Sequence, residues 1–277
     1  MVKYCYHNGK IISTDKAGFS VQDIGILRGY GIFDFATTYN GKPFLLKEHC
    51  LRLRKSAKLM KLSVPLSDAQ IEKIVAELLQ KNKLKDANIR ILITGGKTVD
   101  GLSYEQKNNT CTILLHEKKL LSEDVYTKGA TLMVHEHLRP FYESKTTNYI
   151  TAVHLQEKLK KVGAIEILYT FKEKVLECST ANFFIFKGDT LITPKDMVLI
   201  GITRNLVLKL AKKAGFLIEE RDIAEHELQE ATEAFITSTN KEVLPIVKVG
   251  SQKIGDGKVG KNSKELRELF TAEIAKL

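Results

Sequence analysis

Glu143-Ser144-Lys145-Thr146-Thr147-Asn148-Tyr149 stands near the middle of the chain. The stretch reads as a short polar loop entering a helix expected over 146–162. It carries one lysine, with a tyrosine four residues later. A lysine at a helix start is ordinarily a solvated surface charge. What lies on either side makes this one a candidate for chemistry. Four stretches stand out: His49-Cys-Leu-Arg52-Leu-Arg-Lys-Ser56, Leu176-Glu177-Cys-Ser-Thr-Ala-Asn182-Phe, Leu199-Ile-Gly201-Ile202-Thr203-Arg204, and Phe235-Ile-Thr-Ser238-Thr239-Asn240-Lys-Glu242-Val.

The bulk properties narrow the field. With 277 residues, 43% of them apolar, the chain is long enough for one large domain or two smaller ones with real cores. No apolar run approaches membrane-spanning length, and Met-Val-Lys-Tyr-Cys-Tyr-His has no hydrophobic signal region, so a cytoplasmic protein without a transmembrane helix is expected. Cys5, Cys50, Cys111 and Cys178 are scattered and form no CxxC pair, which suggests reduced thiols and no metal site. The formal net charge of +10 invites a nucleic-acid reading. Yet the lysines are spread along the chain and alternate with acids, with no arginine-rich arm, so no nucleic-acid partner is expected.

Read in order, the chain opens with a hairpin, Lys3 to His7 and Lys10 to Ile12 about Asn8-Gly9. A second follows, Phe35 to Tyr39 and Lys42 to Leu46 about Asn40-Gly41. Apolar residues at Cys50, Leu53, Ala57 and Met60 predict a helix over about 48–62, with Arg52 off the apolar stripe. Ser67-Asp-Ala-Gln70 is a capping-box pattern opening a helix to about Asn82. Strands are expected at 88–94 and 110–116, joined by a long polar loop over 95–109 of the length that often covers a binding site. The charged segment after them reads as a linker. Short strands follow at 131–135, 164–170, 174–177, 182–186, 190–193 and 243–249. Helices are expected at 203–214, 224–230 and 263–275. The fold class is therefore α+β in two domains: a smaller, sandwich-like N-terminal domain over 1–118, a linker over 119–128, and a larger C-terminal domain over 129–277 with a curled, barrel-like sheet and flanking helices.

One chemical reading needs no relative. Gly201-Ile202-Thr203-Arg204 opens a helix after Pro194 and an apolar strand. Free N–H groups and the positive dipole end at such a place suit a phosphate. Gly29-Tyr30-Gly31-Ile32-Phe33-Asp34, by contrast, lacks the spacing of a nucleotide-binding loop, and its glycines suit a tight turn or a close backbone approach.

Taken together, the order and spacing of these stretches around Lys145 resemble the class IV, fold type IV, pyridoxal-phosphate aminotransferases, over about Lys3 to Ala275. That family includes branched-chain aminotransferases, D-amino acid aminotransferases and aminodeoxychorismate lyase. The resemblance implies pyridoxal 5'-phosphate as cofactor, amino acids and 2-oxo acids as substrates, and a homodimer. It makes Lys145 the Schiff-base lysine and proton shuttle, a role that needs a neutral amine. It places Glu177 on the cofactor's ring nitrogen and Tyr149 on its ring oxygen. Arg52, the backbone of Ile202 and Thr203, and the Thr239 hydroxyl fall on the phosphate. The turn with Ser238 and Asn240 receives the substrate's α-carboxylate. Arg90 meets the acidic side chain of glutamate, or else serves as a structural ion-pair partner, and Phe33 with Tyr30 shapes the side-chain pocket. Departures from the family pattern are Ser238 for a frequent glycine, Thr37 for a basic residue, and Asp34 for the usual glutamate. The expected reaction is transamination between a branched-chain L-amino acid and 2-oxoglutarate. D-amino acid transamination and the lyase reaction remain alternatives within the family, and a non-catalytic binding protein keeping the fold is the remote one.

Overall fold

The computed structural model describes residues 2–119 and 121–277, so Met1 and Leu120, which fall in the expected first domain and linker, lie outside the described residues. The chain divides into two compact units, one of Met1–Lys119, Ser144–Asn148 and Leu277, the other of Leu120–Glu143 and Tyr149–Lys276.

The first unit is built on six strands: β1 (Tyr4–His7), β2 (Lys10–Ser13), β3 (Gly31–Tyr39), β4 (Lys42–Phe44), β5 (Ala87–Thr94) and β6 (Thr110–Glu117). Their order in the sheet is β2-β1-β6-β5-β3-β4. Asn8-Gly9 and Asn40-Gly41 all take positive φ, the backbone that two-residue hairpin turns need. Helices α1 (Ile24–Arg28), α2 (Leu46–Leu59) and α3 (Asp68–Asn82) complete the unit. The capping box holds: Ser67 Oγ accepts from Gln70 N–H while the Gln70 side chain accepts from Ser67 N–H. Ile32 and Ala36 on β3, Ile89 and Ile91 on β5, Leu53 on α2 and Ile71, Val75 and Leu78 on α3 share one core.

Lys145 does not start a helix. Its segment is drawn out against the free edge of β3: Phe33 N–H donates to Lys145 C=O at 2.9 Å, Thr147 N–H to Gly31 C=O at 2.9 Å, and Thr146 bridges Ile32. The strand edge satisfies these backbone groups, so helical structure begins only after Tyr149, as two short pieces, and 144–148 groups with the first unit instead of with the expected 129–277 domain.

The second unit holds a curled ten-stranded sheet. Its strands are β7 (Ala130–Glu136), β8 (Glu166–Phe171), β9 (Lys174–Cys178), β10 (Asn182–Lys187), β11 (Thr190–Thr193), β12 (Leu217–Glu220), β13 (Ile223–Ala224), β14 (Glu233–Ser238), β15 (Glu242–Val249) and β16 (Gln252–Lys253). The order is β12-β11-β10-β14-β15-β7-β8-β9-β13, with β16 on β15. Helices are α4 (Glu123–Lys128), α5 (Ile150–His154), α6 (Gln156–Lys161), α7 (Ile202–Lys213) and α8 (Lys261–Ile274). Within the expected linker, α4 is anchored by the buried Tyr126, an aromatic anchor that a charge-based reading passes over. At 224–230, the structure has the end of β13 and a 3-10 turn in place of an α-helix, since Ile223 and Ala224 pair with β9.

Candidate active site

The first unit supplies a lysine, an arginine and an apolar face. Helix α2 places His49, Arg52 and Ser56 at three-four spacing, hence along one side. Arg52 donates from Nε to Asp34 Oδ2 at 2.9 Å and from Nη2 to Asp34 Oδ1 at 2.8 Å. His49 Nδ1 meets Asp34 Oδ1 at 2.6 Å. Asp34 is fully buried on β3. Burial pushes its carboxyl up, but Arg52 and His49 outweigh that and hold it far below the usual carboxylate range. Burial pulls the His49 imidazole below its ordinary value, Asp34 offsetting only part of the shift, so at neutral pH His49 is the neutral tautomer donating from Nδ1. Ser56 Oγ accepts from Lys145 N–H at 3.1 Å. Both backbone groups of Lys145 are therefore tied, and its Nζ lies 4.8 Å from the centre of the Phe33 ring. Arg90, on the same sheet face as Phe33 and Phe35, stacks on both at 5.0 and 5.4 Å.

The second unit brings the other expected residues to one end of its sheet. Glu177, near the end of β9, is 6% exposed. Its Oε1 accepts from Arg139 Nε at 2.9 Å and Nη2 at 2.7 Å, and its Oε2 from Leu199 N–H at 3.1 Å. Arg139 is buried. Burial works against its charge, and the Glu177 carboxylate, with Tyr149 and Tyr169 nearby, raises it above the ordinary arginine value. Asn182 Nδ2 donates to Leu199 C=O at 2.7 Å and reaches Glu177 Oε2 at 3.4 Å. Gly201 packs on this amide so closely that a β-carbon there would sit 2.0 Å from Asn182 Oδ1. Gly201 is also the N-cap of α7, and no side chain caps the helix. The N–H groups of Ile202 and Thr203 thus stand at an uncapped, positive helix end. Thr237 pairs with Asn182 across β14 and β10, and its buried Oγ1 has no partner. Ser238, Thr239 and Asn240 follow in the turn to β15, where Ser238 Oγ donates to Asn240 Oδ1 at 3.0 Å. The residues fit a phosphorylated, ring-bearing group. Gly201, lacking a β-carbon, lets Asn182 pack against the uncapped start of α7, Thr237 holds a spare buried hydroxyl, and Glu177 is held in place by Arg139.

Each expected residue is thus found in one of two sets, Lys145, Arg52, Tyr30, Phe33 and Arg90 in the first unit and Tyr149, Glu177, Ile202, Thr203, Ser238, Thr239 and Asn240 in the second. Sequence reasoning missed Arg139, Thr237 and the roles of Asp34, His49 and Ser56. The spacing His49-x-x-Arg52-x-x-x-Ser56 was the available signal for the last two.

Comparison with known proteins agrees with this picture. The model of the family "Amino-transferase class IV" matches residues 31–249. A putative branched-chain-amino-acid aminotransferase of Methanocaldococcus jannaschii is 35% identical over 273 residues, 96% of this chain and 94% of the relative. A D-alanine aminotransferase of Listeria monocytogenes is 28% identical, covering 97% and 95%. Among solved structures, the branched-chain aminotransferase of Thermoproteus uzoniensis with norvaline superposes with a TM-score of 0.85 at 26% identity, over 98% of this chain and 94% of that one. The Escherichia coli branched-chain aminotransferase shares the fold, with a TM-score of 0.89 at 24% identity, covering 98% and 94%. The chain belongs to the class IV aminotransferases, the α+β fold type IV class that its motifs resemble. Among the described residues, no helix is long and apolar enough to cross a membrane.

Proposed function

We propose that the chain is a pyridoxal-phosphate-dependent transaminase that moves an amino group between a branched-chain L-amino acid and 2-oxoglutarate. The observation that carries the reading is Glu177, buried and clamped by Arg139 beside the uncapped end of α7. An acid so placed suits a protonated ring nitrogen, and the helix end suits a phosphate. Pyridoxal phosphate, when bound, would supply an electron sink for the substrate's Cα. Lys145 binds the cofactor through Nζ and, when that amine is free and neutral, moves the proton at Cα. Arg52 and the N–H groups of Ile202 and Thr203 hold the phosphate, with the Thr239 hydroxyl, while Tyr149 donates to the ring oxygen. Ser238 and Asn240 orient the α-carboxylate. Phe33 gives the side chain an apolar wall, and Arg90 beside it receives the second carboxylate of 2-oxoglutarate. The 35% identity to the putative branched-chain-amino-acid aminotransferase favours the branched-chain donor, and the several D-alanine aminotransferases at 28% make D-alanine transamination the second reading. A homodimer in the cytoplasm completes the proposal, and light scattering reads the dimer directly.

The test is the near-visible spectrum of the purified protein with pyridoxal phosphate, before and after borohydride, for wild type and Lys145→Ala. A band that borohydride bleaches and that requires Lys145 supports the enzyme reading. Absence of a band from the wild type overturns it. A donor screen with L-leucine, D-alanine and aminodeoxychorismate then ranks the substrates, pyruvate release without an amino acceptor marking the lyase reaction.

A further inference from the structure

Next to the site lies a buried charge cluster that no expected role uses. Glu166, the first residue of β8, is 4% exposed. Its carboxylate accepts from the hydroxyls of Ser179 and Thr180 and, at 3.1 Å, from Lys241 Nζ. Lys241 Nζ also donates to Thr180 Oγ1 at 2.8 Å. Burial raises the Glu166 carboxyl, and Lys241 with the two hydroxyls more than reverses this. Ser179 and Thr180 follow Glu177 by two and three residues in the sequence, and Lys241 follows Asn240 directly. The cluster therefore ties the loop after β9 to the turn between β14 and β15.

That turn needs holding. Glu242, which leaves it, has φ of 54°, in the left-handed region that a β-carbon disfavours. Such a conformation persists only where the surroundings over-determine it. Three ties do so at Lys241: Nζ on Glu166, N–H on Ser238 Oγ at 3.3 Å, and C=O accepting from the buried Tyr126 hydroxyl at 3.2 Å. A buried ion pair is weak evidence for stability, because desolvation offsets most of its attraction. Its directional bonds still fix geometry.

We propose that Lys241 is a positioning residue whose ammonium, held by Glu166 and Thr180, sets the Ser238–Asn240 turn in the shape that receives the α-carboxylate of the substrate. The inference rests on the reading of that turn under Proposed function. Lys241 touches neither substrate nor cofactor, so its removal loosens carboxylate binding and spares the proton transfer at Lys145.

The experiment compares wild type, Lys241→Met, Lys241→Arg and Tyr126→Phe, all as holoenzymes. Steady-state kinetics are read with the best donor of the screen, and calorimetry with its unreactive carboxylate analogue (4-methylpentanoate for leucine). In Lys241→Met, KM and the dissociation constant of the carboxylate rise together by about tenfold, the loss of one good hydrogen bond to a charged group. The kcat and the Lys145-dependent band stay within about twofold of wild type on the same scale. Lys241→Arg restores carboxylate binding. Tyr126→Phe, which keeps the charge pair and loses only one bond to the turn, shifts the same two constants by a smaller factor and remains informative if Lys241→Met does not fold. Unchanged carboxylate binding in Lys241→Met or in Tyr126→Phe overturns the inference, as does a fall in kcat matching the rise in KM. A wild type that shows the band and turns over the donor keeps the broader reading standing whichever way these variants behave. A wild type without the band removes both.

Discussion

Replacing Asp34 by asparagine gives a direct measure of how the first unit holds Arg52. Asparagine keeps the shape and loses the charge. Asp34 accepts from Arg52 Nε and Nη2 at 2.9 and 2.8 Å and from His49 Nδ1 at 2.6 Å, all in a setting where Asp34 is 1% exposed and Arg52 11%. The amide can still accept at one oxygen, but its NH2 turns a donor toward donors. Breaking a buried pair on one side costs about 3–5 kcal/mol, because the remaining charge stays buried without its partner. The unmade hydrogen bond overlaps with this and is not added to it. Asp34→Asn should therefore lose about 3–5 kcal/mol at pH 7, a large share of the roughly 5–15 kcal/mol typical of a domain. Guanidinium denaturation measures the loss, and hydrogen exchange in β3 and α2 confirms that the first unit carries it. The sign with pH follows from linkage. Asp34 in the folded protein lies below its unfolded value, so its contribution is complete above the ordinary carboxylate pKa of about 4 and is lost as pH falls below that. His49, lowered by burial, adds a loss that begins as pH falls through about 6.5, where the unfolded imidazole takes a proton and the folded one does not. The gap between wild type and variant should accordingly narrow below about pH 4. A loss under about 1 kcal/mol, or a gap constant from neutral to acid pH, would refute the pairing as the element that fixes Arg52.

Three further changes probe the second unit. Arg139→Met leaves Glu177 buried without its guanidinium, so stability should fall by about 3–5 kcal/mol and pyridoxal phosphate should dissociate faster, read by denaturation and by decay of the cofactor band; Arg139→Lys should recover part of both. Gly201→Ala drives a β-carbon to within 2.0 Å of Asn182 Oδ1, which must move and release Leu199 C=O; a cost of about 1–3 kcal/mol and weaker phosphate binding are expected, the latter from competition by inorganic phosphate. Thr237→Val removes a buried hydroxyl that has no protein partner, so the cofactor-free protein should keep its stability or gain about 1 kcal/mol, while cofactor affinity, read by fluorescence titration, should drop.

Much of the scaffold was readable because its signals are local. Asn8-Gly9 and Asn40-Gly41 specify their turns through two residues, and Ser67 with Gln70 specifies a helix start through four. The helix expected from Thr146 failed for the opposite reason. Its residues tolerate a helix, but the edge of β3, more than a hundred positions earlier, offers their N–H and C=O groups better partners. Tyr126 shows the same limit. Five charged or polar neighbours in Ser122–Lys128 read as solvated, and the one aromatic among them is what the sheet buries.

The site obeys the same division. Lys145, Glu177 and the Gly201-Ile202-Thr203 helix start are visible because each needs a particular residue type at a particular place in a local motif. Their supports are long-range. Asp34 and Arg52 are 18 residues apart, Arg139 and Glu177 are 38 apart, and Glu166 and Lys241 are 75 apart. No periodicity links such pairs, and each partner alone reads as a surface charge. The physical reason they exist is common to all three. A group that must keep its charge while out of water needs a counter-charge fixed at hydrogen-bonding distance, or its ionisation shifts and its side chain wanders. An expected site residue that is both charged and buried therefore predicts an opposite charge buried beside it, even where the sequence does not say which. Glu177 and Arg52 each meet that demand, and the partner in each case is a residue to which no role had been assigned.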